Sequence, residues 1–169
     1  MFKRKNRKQP VVQPSKIVSR QVDIEGLPDM DWGAPDPVIR ADEHHLSIAY
    51  YLSNTMQDTD GTTIHVRDSE LDIAKMALFK MDGVRSFEQT TNGPEHSCPY
   101  LDYGEGKHLG SHDVWEMRGS RKRFPLFSGE SRDDFKHLIF AFHDTSVECI
   151  CRTYEFKILV ASAATVFDN

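Results

Sequence analysis

No stretch of this chain approaches the roughly 18 consecutive apolar residues that a helix needs to cross a bilayer. Met1 to Arg20 carries charge without an apolar segment, so neither a membrane span nor a secretory leader is expected, and a cytoplasmic location follows. Cysteine is scarce. Cys98, Cys149 and Cys151 are odd in number, and the last two occupy adjacent same-face positions of a strand, a poor disulfide geometry, so all three read as reduced thiols. Familiar chemical frames are also missing. There is no Cys-x-x-Cys, no His-Glu-x-x-His and no Gly-x-Ser-x-Gly elbow, and Gly104-Glu105-Gly106 lacks the preceding strand and following helix of a phosphate cradle. Acidic residues are absent from the first 20 positions, which hold seven basic ones. The remainder carries 14 basic against 26 acidic residues, a formal charge of −12 that disfavours a nucleic-acid partner.

What is present is a β pattern. The 169 residues, 38% of them hydrophobic and including 10 Phe, are enough for one core. Residues 1–20, with Pro10 and Pro14, read as a disordered basic tail and 21–169 as a single antiparallel β-rich domain. Strands are expected at 22–27, 38–40, 44–52, 62–67, 84–89 and 111–117. Residues 71–81 fit period two about as well as 3.6 and are read as a strand. Asp82-Gly83 signals a hairpin turn between that segment and 84–89. Residues 28–37 form a proline-rich loop anchored by Trp32, and 90–110 a long polar loop in which Tyr100 and Tyr103 are anchors. Residues 118–123 are a basic loop, 131–136 at most one helical turn with Ser131 as N-cap, and 157–167 a strand or terminal helix. The expected fold is mainly β, α+β at most: an antiparallel sheet, sandwich or half-barrel with one or two short helices.

The most ordered segment is 137–156, HLIFAFHDTSVECICRTYEF, which reads as a β-hairpin turning at Asp144-Thr145. That turn pairs His143 with Ser146, Phe142 with Val147, Ala141 with Glu148 and Phe140 with Cys149. Leu138, Phe140, Phe142, Val147, Cys149 and Cys151 then share an apolar face, and His137, Ile139, Ala141, His143, Ser146, Glu148, Ile150 and Arg152 share the other. A longer loop of the same parity would keep these faces.

Three pieces carry a resemblance: WGAPDPVIR at 32–40, the loop opening Gly93-Pro94 and passing Tyr103-Gly104-Glu105-Gly106, and KHLIFAFHDTSVEC at 136–149. Together they resemble an uncharacterised family of small bacterial cytoplasmic proteins with a Phe-rich strand, a His-Asp-Ser-type turn and Phe-Glu-Cys. The likeness covers about half of the chain. Val147 stands where that family tends to have an aromatic residue, and 118–128 departs from the family's usual Asn/Ser/Trp-containing helix. The resemblance implies the hairpin and a bacterial source, and it implies no activity.

Chemistry is expected at His143, Ser146 and Glu148, with Asp144 at the turn tip. An imidazole oriented by a carboxylate is a general acid/base unit and half of a metal site. The plainer alternative has Asp144, Thr145 and Ser146 capping the turn while His143 and Glu148 satisfy each other. A second group, Glu95, His96, Cys98, His108, His112 and Asp113, lies in or beside the long loop. On a strand His108 and His112 would be roughly 13 Å apart, too far to share an ion unless the loop folds over the hairpin and adds them to His143 and Glu148. Of the remaining histidines, His44 and His45 must point to opposite faces, so at most one serves any site. Two functional readings result. One is a non-catalytic binding protein recognising a protein partner or small ligand. The other is a metal-assisted enzyme holding one divalent transition metal between the 90–113 loop and the hairpin's polar face.

Overall fold

Alternating apolar positions place nine strands in the computed structural model, which describes residues 20–31, 36–53, 73–91, 113–120, 122–142 and 144–168. They are β1 (Arg20–Asp23), β2 (Val38–Ala41), β3 (His45–Tyr51), β4 (Ala74–Asp82), β5 (Ser86–Thr90), β6 (Asp113–Arg118), β7 (Lys136–Ala141), β8 (Ser146–Cys151) and β9 (Thr153–Ala161). Of the ambiguous segment 71–81, residues 74–81 are therefore strand, and 71 and 72 lie outside the described residues. One antiparallel sheet runs β1-β6-β7-β8-β5 and the other β2-β3-β4-β9. The protein is mainly β, in the manner of a sandwich, with no closed barrel and no helix of seven or more residues among the described residues. None of those residues forms a helix long and apolar enough to cross a membrane.

Both sheets turn their apolar faces to one core. Leu138, Phe140, Phe142, Val147, Cys149 and Cys151 meet Leu46, Ile48, Tyr50, Phe79 and Met81 there, so the expected facing of the 137–151 arms is observed. Phe79 is the hub. Its ring centroid lies 5.0 Å from Phe140 across the sandwich and 5.2 Å from Phe156 in its own sheet. Buried aromatic side chains of this kind each contribute roughly 1.5–3 kcal/mol by leaving water. Cys149 and Cys151 are free and buried, and the neighbouring Cys151 thiol together with burial pushes the Cys149 thiol above its usual range. A smaller cluster of Ala49, Tyr51, Met76, Leu78 and Ala161 on the back of the four-stranded sheet is closed by Val166. The chain end is thus a strand to Ala161 followed by a 3-10 turn, Val166–Asp168.

Three expectations need correction. The hairpin register is shifted by two, pairing Ala141 with Ser146, Ile139 with Glu148 and His137 with Ile150. The cause is a turn set one residue earlier, where the Phe142 amide donates to the Thr145 carbonyl at 2.8 Å. A shift of two changes partners and leaves faces unchanged. The second arm also ends sooner. Cys151 and Tyr154 both face the core with two residues between them where a straight strand allows one, because the chain crosses at Arg152 from one sheet to the other. Asp82-Gly83, finally, is a corner and not a hairpin turn. β4 has β3 on one side and β9 on the other, so no ladder is left for β5, which pairs with β8.

At this corner the Arg152 amide donates to the Asp82 carbonyl (2.9 Å) and the Arg85 amide to the Ile150 carbonyl (2.8 Å), so the β4–β9 pair continues into β5–β8. Gly83 has φ +62, and a Cβ there would lie 2.9 Å from Arg152 Cγ and Cδ, so only glycine fits without displacing that side chain. The corner thereby sets Arg85 and Arg152 side by side. Residues 1–19 and 62–67, Trp32, the loop residues Glu95, His96, Cys98, Tyr100, Tyr103, His108 and His112, and His143 lie outside the described residues.

Candidate functional site

The outer face of the five-stranded sheet brings two carboxylates opposite each other, because β5 and β8 pair Glu88 with Glu148. Like charges in directly opposed positions are destabilising. A cation resolves the conflict: Lys122, from the segment after β6, places Nζ 3.1 Å from Glu88 Oε2 and in direct contact with Glu148 Oε2. Burial opposes the Lys122 charge, but the hydrogen bond and charge of Glu148, then those of Glu88, outweigh it and raise the pKa above the usual lysine value. On the other side of Glu148, His137 of β7 occupies the diagonal position. Its Nε2 lies 2.7 Å from Glu148 Oε1, with the oxygen off the N–H axis, so the contact is electrostatic more than an aligned hydrogen bond. His137 Nδ1 lies 2.6 Å from Ser120 Oγ. Both His137 and Glu148 are buried, at 6% and 5% exposure.

These contacts fasten residues 119–120 and 122–135 as a strap across the sheet. Its far end is held by Glu130, which contacts both Arg85 and Arg152 at the corner. Arg85 lies 4.6 Å over the Phe127 ring and Arg152 5.0 Å over Phe135. Ser131 caps the 3-10 turn Arg132–Asp134 as its sequence suggests, in a capping box with Asp134. The Glu130 carboxyl is held below its usual range by the Phe127 amide first, then by Arg85 and Arg152. A folded-state pKa below the unfolded value gives stability that is present above 4.5 and lost as pH falls through the lowered value. Glu130→Gln is therefore expected to lower the urea midpoint at pH 7, with the gap from the unmodified protein closing as pH falls below 4.5. A gap constant from pH 7 to pH 3 would contradict the assignment.

Where the strands end, a cleft of about 210 Å³ opens beside the strap, lined among others by Arg118, Ser120, Arg132, Lys136 and His137. Arg118 (3.7 Å) and Lys136 (3.5 Å) share one carboxylate, Glu116. Tyr154 also donates to Glu116 (3.1 Å), and burial followed by that carboxylate pushes the Tyr154 phenol up to about 12. Arg132 donates to the Lys122 carbonyl at 2.8 Å and covers Phe124 at 5.1 Å.

Of the residues singled out by sequence, Ser146 and Glu148 share this outer face. Ser146 Oγ is tied to Thr90 Oγ1 at 2.7 Å, and Glu148 is the centre of the cluster. Asp113 opens β6 and accepts from the Val114 amide; burial, against that bond, raises its pKa. His45 bonds Asp42 at 2.8 Å on the opposite sheet. His143, His108 and His112 are outside the described residues, and among those residues no three His, Cys, Asp or Glu side chains are grouped to hold a metal ion. His137 lies on the face that strand parity assigns to it, although no motif singles it out. Ser120 and Lys122 went unnoticed because a basic loop carries no periodicity to show that it folds inward. No family model, curated protein or solved structure matches the chain.

Proposed function

We propose that this is a binding protein that takes a small anionic ligand, or the anionic end of a larger one, into the cleft beside the strap. The observation that carries this reading is the rim. Arg118, Arg132 and Lys136 line the cleft against Glu116 and Asp133, and Arg132 pairs with no carboxylate among the described residues, so the lining has positive charge to spare on an otherwise acidic chain. The volume is below the roughly 300–1,000 Å³ of pockets for drug-sized ligands, which limits the occupant to a small molecule or a terminal group. The arginine fork over an aromatic ring suits a planar carboxylate or a phosphate.

The test is a titration followed by amide shifts in NMR, using succinate and its uncharged diamide. Succinate is expected to move the Met117, Gly119 and Ser120 amides, with affinity falling about tenfold (about 1.4 kcal/mol) in Arg132→Gln. Equal shifts with the diamide, or none with succinate, would overturn the reading.

A further inference from the structure

Ser120, His137 and Glu148 are arranged for more than holding a ligand. The Lys122 amide donates to Ser120 Oγ at 3.2 Å, which occupies the oxygen as acceptor and directs the hydroxyl proton along its 2.6 Å contact to His137 Nδ1. Nδ1 then presents its lone pair to the serine. With Nδ1 accepting from the serine, a neutral ring has its N–H at Nε2, which lies 2.7 Å from Glu148 Oε1 off the N–H axis, while the Lys122 ammonium holds Glu148 Oε2. A hydroxyl bonded to an imidazole whose far nitrogen rests on a fixed carboxylate is the general form of an activated nucleophile. The three side chains come from the strap, β7 and β8, so only the folded sheet assembles them. Ser120 and His137 both line the cleft, and among the described residues Ser120 is the one hydroxyl side chain in that lining.

We infer that the cleft hydrolyses short carboxylic esters bearing a negative charge, with Ser120 as nucleophile, His137 as base and Glu148 as the positioning residue that fixes the imidazole. The charge preference rests on the binding reading above. In the first half-reaction Ser120 Oγ bonds to the ester carbonyl carbon as its proton passes to Nδ1. The bond from that carbon to the alcohol oxygen then breaks, and the departing oxygen takes the proton from Nδ1. In the second, solvent water adds to the acyl carbon and gives its proton to Nδ1. The bond to Oγ breaks, Oγ recovers the proton, and a carboxylic acid leaves. Nothing is oxidised or reduced. The basic lining supplies the positive potential that the oxyanion of each tetrahedral intermediate needs.

The experiment has two arms on the full chain. A fluorophosphonate probe is expected to label Ser120, read as a mass shift on its peptide. Hydrolysis of p-nitrophenyl hemisuccinate is expected to exceed that of p-nitrophenyl butyrate about tenfold in kcat/KM, and to fall at least about 100-fold in Ser120→Ala and in His137→Gln. Labelling of the unmodified protein does not depend on how the variants fold. An unlabelled Ser120, or hydrolysis unchanged in Ser120→Ala, would overturn the inference. Should succinate still move the cleft amides in that case, the binding reading survives alone; should it not, both fall.

Discussion

Lys122→Met is expected to destabilise the fold by about 2–3 kcal/mol, below the roughly 3–5 kcal/mol typical when one partner of a buried pair is removed, because solvent reaches part of the lysine. The substitution keeps the aliphatic stem and deletes the ammonium. It leaves Glu148, 5% exposed, directly opposite Glu88 without the ammonium between them. Glu148→Gln should cost less, about 1 kcal/mol, since Lys122 retains Glu88 at 3.1 Å and a buried amide is cheaper than a buried charge. Urea unfolding at pH 7 reads both. Equal costs would mean that the carboxylate draws enough compensation elsewhere.

The second large effect is expected at Phe79. Phe79→Ala should cost about 3–5 kcal/mol, the range for truncating a buried aromatic ring, which is a large share of the roughly 5–15 kcal/mol of a whole domain. The reason lies in position. Phe79 is fully buried and its ring meets Tyr50, Phe140, Tyr154 and Phe156, so the void would open between the two sheets where neither can close it alone. Phe87→Ala is the comparison: also aromatic and on the other sheet, it is 44% exposed, and its loss should cost under about 1 kcal/mol. Thermal unfolding of the two variants separates them.

Strand parity was legible in the sequence because side-chain alternation survives any even shift of register. The apolar set from Leu138 to Cys151 was assigned to the core correctly even though each partner was two residues off. The corner was not legible. Gly83 signals a reversal, and nothing local distinguishes a hairpin turn from a crossing between sheets; that depends on β3 and β9 already occupying both edges of β4. The site was half legible. Glu148 was identified as a carboxylate on the polar face, with an imidazole and a hydroxyl expected beside it. The structure places the His137 imidazole against Glu148 and the Ser120 hydroxyl against His137, and it ties Ser146 to Thr90, while His143 lies outside the described residues. The need for Lys122 becomes visible only once β5 is known to pair with β8, which sets Glu88 against Glu148.

The placement of Lys122, His137 and Ser120 on the outer face depends on Glu148 being held between Lys122 and His137. A double-mutant cycle on Lys122→Met and Glu148→Gln measures this most directly. A strongly non-additive cycle is expected, in which the double variant is no less stable than Lys122→Met alone, since removing the carboxylate removes the buried charge that has lost its ammonium. Additive costs, within about 0.5 kcal/mol, would show that the two side chains act independently and would contradict that placement.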